Sequence, residues 1–115
     1  MKLKIKIGLR DAADKPFMGI GLVWLLRGVE KSGSLSLAAR EMEMSYSKAH
    51  KLVKTLEAAF GKPVLTSARG GSTRGGSALT PAGLVFLERF EKLDEEVKRR
   101  SEKLFEKHFP GGRLK

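Results

Sequence analysis

Gly33-Ser-Leu-Ser-Leu-Ala-Ala-Arg-Glu-Met-Glu-Met-Ser-Tyr-Ser-Lys-Ala-His-Lys-Leu-Val-Lys-Thr-Leu-Glu-Ala-Ala-Phe-Gly61 is the stretch that decides the fold. Ser34 is a good N-cap for a short helix in which Leu35, Ala38, Ala39 and Met42 share one face. The small alanines permit close contact with a neighbouring helix. Glu43-Met44 is the turn, and Ser45 caps a second helix whose apolar set Ala49, Leu52, Val53, Leu56 and Phe60 keeps the i, i+3, i+4, i+7 spacing until Gly61 ends it. Its other face carries Ser47, Lys48, His50, Lys51, Lys54 and Thr55, with no acid before Glu57. Two short helices joined by a tight turn, the second basic on its outer face, match a helix-turn-helix. In that geometry the first turns of the second helix enter the major groove. Ser47 and His50 can then hydrogen-bond base edges, and Lys48, Lys51 and Lys54 reach guanine or phosphate. Ser34, Ser45 and Tyr46, at and beside the two helix starts, complete the DNA-binding set. A merely solvated basic helix face is the bland alternative.

Upstream, Leu3, Ile5, Ile7 and Leu9 alternate with Lys2, Lys4, Lys6, Gly8 and Arg10, which predicts a strand with one buried face. Asp11-Ala-Ala-Asp14 and Lys15-Pro-Phe-Met18 offer a turn and a return strand, so a hairpin is expected. Lysine on its outer face is an ordinary device against edge pairing as well as a possible nucleic-acid contact. Leu22, Leu25, Leu26 and Val29 then predict a helix running to about Lys31 and stopping at Ser32-Gly33. Trp24, beside that stripe, is expected to pack. Gly19 and Gly21 do not open a dinucleotide loop, because Trp24 stands where the third glycine belongs.

Downstream, Pro63–Ala68 and Ser77–Thr80 read as short strands flanking Arg69-Gly-Gly-Ser-Thr-Arg-Gly-Gly76. That hairpin with a mobile, cationic tip suggests a wing whose Arg69 and Arg74 lie along the DNA backbone or enter a narrow minor groove. A solubilising loop is the alternative. A phosphate-binding loop is not, since Gly76 occupies the position that needs lysine. Thr80-Pro81 is an N-cap with proline at N1, opening a last helix that reaches about Phe109. Such a helix spans roughly 43 Å, longer than one small core needs. Phe86, Phe90, Leu93, Val97 and Leu104 recur along it as a heptad seam interrupted at Arg100, and a seam of this kind usually meets another helix. A second copy of the chain is the expected partner, with these five residues at the interface.

The chain has 115 residues and a net charge of +10, so it is expected to fold as one domain and to meet a polyanion. From Met1 to Thr80 there are 14 basic and 6 acidic residues, net +8; Pro81 to Lys115 carries 9 and 7, net +2. The surplus accompanies the helix-turn-helix and the wing. The absence of cysteine excludes disulfides, thiolate metal sites and thiol nucleophiles. The two histidines, His50 and His108, fall on different helices and in no metal-binding spacing. Glu88, Glu91, Asp94, Glu95 and Glu96 interleave with Arg89, Lys92, Lys98, Arg99 and Arg100 at helical spacing, an ion-paired solvated face and not a carboxylate dyad. No catalytic constellation, metal site or cofactor is expected. The longest uncharged run, Pro16 to Leu26, is too short to cross a bilayer, and Lys2, Lys4 and Lys6 do not lead into a signal sequence. A cytoplasmic location follows as an expectation.

Gly33-Ser-Leu-Ser-Leu-Ala-Ala39, Met42, Met44-Ser-Tyr-Ser-Lys-Ala49 and Val53-x-x-Leu56 resemble the helix-turn-helix of LysR-type regulators and, more closely, of the molybdate-dependent ModE-type regulators. Ser45-Tyr46 with Ala49, the alternating first strand, and the long glycine-rich wing running into Leu79-Thr80-Pro81-x-Gly83 are what favour the ModE branch. The resemblance covers Leu3 to about Phe90 and implies a winged-helix dimer that binds operator DNA. Two departures qualify it. His50 stands where the family commonly has tryptophan, so base preference does not carry over. Nothing in this sequence matches the family's C-terminal molybdate-binding region, so no molybdate site is expected in this chain. The expected fold is α+β: an N-terminal β-hairpin and winged helix-turn-helix over 1–80, a long dimerisation helix over 81–110, and a tail over 111–115. Double-stranded DNA is the expected partner, read specifically by a transcription regulator or bound nonspecifically by an architectural protein of the same fold.

Overall fold

A computed structural model describes residues 1–67 and 76–114. Helix α1 (Ile20–Ser32) buries Leu22, Val23, Leu25, Leu26 and Val29, the stripe that its periodicity predicts. It ends on Gly33, whose left-handed φ of 74° and N–H to the Val29 carbonyl form a glycine C-cap. Helix α2 (Leu35–Glu41) and helix α3 (Tyr46–Phe60) follow. Ser34 Oγ accepts from the Leu37 N–H and Ser45 Oγ from the Lys48 N–H, each at 3.1 Å, so both serines are the caps their positions predict. Close approach of α1 and α2 depends on Gly28, where an added Cβ would lie 3.0 Å from Ala38 Cβ. Leu25, Leu26, Val29, Leu56, Val64 and Leu87 form the fully buried centre.

Strands β1 (Gly8–Arg10) and β2 (Pro16–Gly19) pair antiparallel ahead of α1, with Leu9 opposite Met18. Asp11 Oδ1 accepts from the Ala13 and Lys15 N–H groups at 2.9 Å and shapes the turn. Strands β3 (Leu65–Ser67) and β4 (Ser77–Leu79) form the wing stem in the register Leu65–Leu79, Thr66–Ala78, Ser67–Ser77. Arg69, Arg74 and the glycines between them lie outside the described residues. Helix α4 (Pro81–His108) begins at a cap that also fastens the stem: Thr80 Oγ1 accepts from the Gly83 N–H at 2.9 Å and donates to the Pro63 carbonyl at 2.8 Å, while the Thr80 N–H donates to the Val64 carbonyl. The described residues extend 62 × 30 × 24 Å, the long axis reflecting a 28-residue helix of about 42 Å. No described helix is long and apolar enough to cross a membrane.

Three expectations need correction. The first strand does not start at Leu3. Gly8 pairs with Gly19, and the next residue, Ile20, already belongs to α1, so Leu3–Ile7 have no strand beside them. The N-terminal segment instead runs past α4, bordering a cleft with Lys98, Ser101 and Glu102, and the Met1 ammonium donates to the Gly112 carbonyl at 3.2 Å. Trp24 is not packed but 61% exposed, because at 100° per residue it falls almost opposite the Leu22–Leu26–Val29 stripe. The heptad seam is also split. Phe90 is 3% exposed inside the protomer's own core and Phe86 packs against Phe60 with ring centroids 5.0 Å apart, leaving Leu93, Val97 and Leu104 open. The polar face of α4 carries Asp94–Lys98, Glu95–Arg99 and Glu96–Arg100 ion pairs one turn apart, whereas Glu91 reaches across to Arg27 on α1.

Candidate nucleic-acid interface

Helix α3 presents its candidate side chains because its apolar stripe, Ala49, Val53 and Leu56, is buried, which turns the remaining positions outward. Ser47, Lys48, His50, Lys51 and Lys54 are all exposed. They do not form one row. Lys48 flanks the N-terminal hairpin side, sharing a groove with Met44, Leu52 and Thr55. Tyr46, His50 and Lys54 flank the other side, bordering a cleft whose far wall is Thr66, Ser67 and Ser77 of the wing stem. The helical repeat sets Ser47 and Lys51 between these two flanks. The Tyr46 and His50 rings stack at 5.9 Å with 28° between their planes, so the aromatic at the helix start orients the imidazole one turn later.

The two serines of the expected set act differently from the basic residues. The side-chain oxygens of Ser34 and Ser45 are occupied by backbone N–H groups at the starts of α2 and α3. Both serines therefore fix helix ends, and a capping hydroxyl keeps its O–H as a donor. Arg69 and Arg74 fall outside the described residues, but the stem that leads to them is anchored. The Ser77 N–H donates to the Gly33 carbonyl at 2.8 Å, tying β4 to the entrance of α2.

One residue that organises this surface was not among the expected ones. Glu57, the only acid on α3, accepts from the Val64 N–H at 2.8 Å and the Leu65 N–H at 3.4 Å and pairs with Lys54 at 3.2 Å. Burial pushes its carboxyl up, but the Val64 N–H, Lys54 and the Leu65 N–H outweigh this, and it is held below its ordinary value. Glu57 thus fastens the start of β3 to α3. The only hint in the sequence was its isolation as a single acid on a basic helix.

A helix-turn-helix whose second helix is exposed and basic, flanked by a two-stranded wing and followed by a long helix, defines a winged helix-turn-helix regulator. The chain belongs to the bacterial regulatory helix-turn-helix proteins of the lysR family, whose sequence profile matches residues 23–84. The molybdenum-pterin-binding protein MopB of Rhodobacter capsulatus is 38% identical over 80 residues, covering 70% of this chain and 30% of that protein. MopA of the same organism is 34% identical over 82 residues, covering 71% and 31%. The chain therefore spans about a third of the length of these relatives, which support the ModE-type resemblance. Among solved structures, the CbnR DNA-binding domain in complex with DNA superposes with a TM-score of 0.57 at 26% identity, covering 75% of this chain and 93% of that one. Full-length CbnR complexed with its target DNA gives 0.58 at 25% identity, covering 77% and 29%.

Proposed function

We propose that this chain is a transcription regulator that binds duplex DNA sequence-specifically as a homodimer. Helix α3 enters the major groove, and the wing follows the neighbouring backbone. The observation that carries this reading is the outer face of α3: Ser47, His50, Lys51 and Lys54 stand exposed on a helix capped by Ser45 and Gly61 and framed on one side by the wing stem. Likeness to a DNA-binding domain solved on DNA supports the same docking. Ser47, His50 and Lys51 face base edges; Lys48, Lys54, Arg69 and Arg74 face phosphates or groove shape. The dimer forms along the open part of the α4 seam, where Leu93, Val97 and Leu104 stand partly exposed.

Selection on random duplexes tests the reading. Enrichment of an inverted repeat is expected, and a flat profile would leave only a nonspecific architectural binder. On the enriched site, Lys51→Ala or His50→Ala should cost about 1–3 kcal/mol and relax the preference at one position. Arg74→Ala should weaken all duplexes alike and flatten the salt slope by about one unit. Unchanged binding in all three variants sinks the docking geometry.

A further inference from the structure

We propose that the groove between β2, the first turn of α1 and the hairpin side of α3 binds a small aromatic carboxylate, and that the bound anion draws Lys48 away from DNA. The second half rests on the DNA-binding reading above; the first does not. The groove has a volume of about 510 Å³, within the roughly 300–1,000 Å³ of small-molecule sites. Its lining is largely apolar and includes Phe17, Leu22, Leu52 and the exposed Trp24. Lys6 and Lys48 supply the charge, and among the described residues lining it there is no acid to neutralise them.

That combination selects the ligand. An apolar slot favours a hydrophobic body, a flat indole favours an aromatic one, and two cations without a counter-charge favour a carboxylate. A DNA phosphate accounts for Lys48 but not for the apolar walls. Gly21 supplies an independent observation. It lies in α1, where glycine is the poorer helix former, yet an added Cβ there would meet nothing within 4 Å. No close backbone approach requires this glycine; its missing side chain leaves the groove open. Lys48 belongs to the first turn of α3, among the residues assigned to phosphate, so a carboxylate held there competes for the same ammonium group.

Trp24 is the single tryptophan, so its fluorescence reads the groove directly in the DNA-free chain. Titration with 3-phenylpropionate should give a saturable change, about tenfold tighter than with 3-phenylpropanol. Gly21→Leu, its fold checked by circular dichroism, should weaken the carboxylate about tenfold by filling the slot while leaving duplex binding unchanged. Lys6→Ala should erase part of the carboxylate preference without affecting the alcohol. In a duplex titration, 3-phenylpropionate should weaken the wild type several-fold, and the same effect in Gly21→Leu should need about tenfold more of it. Absence of saturation, equal response to the alcohol, or a Gly21→Leu variant that binds as well as wild type overturns the site. So does protection of Trp24 from acrylamide by dimerisation, which would make a second copy the occupant. Carboxylate binding without any change in duplex affinity overturns the Lys48 competition. If the chain binds no duplex at all, the DNA-binding reading fails and the competition with it, while the fluorescence arm still decides the site.

Discussion

Glu57 and Trp24 show how unequally single residues reveal themselves. Trp24's exposure was legible, because a helical wheel sets it against the buried stripe, and general aromatic packing preference was the weaker guide. Glu57's task was not legible, since its partners are backbone N–H groups that reach it only after the chain reverses at Gly61. Replacing Glu57 with Ala leaves those partly buried N–H groups unpaired and should cost about 1–3 kcal/mol, read as a lower thermal midpoint. The effect is pH-dependent. Its folded-state pKa lies below the ordinary 4.5, so the stability it contributes is present above that value and is lost as pH falls through the folded-state value. The gap between wild type and Glu57→Ala should therefore narrow in acid; a constant gap would show that the charge of the carboxylate is immaterial.

Elements were legible where their signals are local. Ser34, Ser45 and Thr80 cap the helices they precede, and Gly33 and Gly61 close the helices they follow, because capping needs only neighbours a few residues away. The first strand is shorter than its alternation predicts for the opposite reason: alternation shows that a segment can form a strand, while pairing needs a partner, and β2 ends at Gly19. Thr80-Pro81-x-Gly83 carries more than a cap. An added Cβ at Gly83 would lie 2.6 Å from the Val64 carbonyl oxygen and 2.9 Å from Val64 Cα, so the Val64 backbone resists the change. Gly83→Ala should push α4 away from the wing stem and cost about 1–3 kcal/mol, despite alanine's better helix propensity. A Gly83→Ala midpoint equal to or above wild type would mean that the contact yields freely.

At the scale of the molecule, α4 leaves Leu93, Val97 and Leu104 exposed at 43%, 36% and 58% at heptad spacing. The wild type should therefore sediment as a dimer at micromolar concentration. Leu93→Glu should sediment as a folded monomer that binds an inverted repeat weakly, because it charges the seam and leaves the buried Leu87 and Phe90 untouched. A monomeric wild type ends the dimer proposal. The sequence by itself determined the α+β class, the helix-turn-helix, the wing stem and the basic face of α3, because helical periodicity, caps and charge distribution are properties of neighbouring residues. Only the tertiary structure decided that Phe86 and Phe90 belong to the protomer's core, that Leu3–Ile7 run past α4, that Glu57 holds the wing, and that Lys48 and His50 look toward different walls. Each of these depends on which distant backbone arrives beside a residue, and periodicity along one helix carries no information about what another element brings to it.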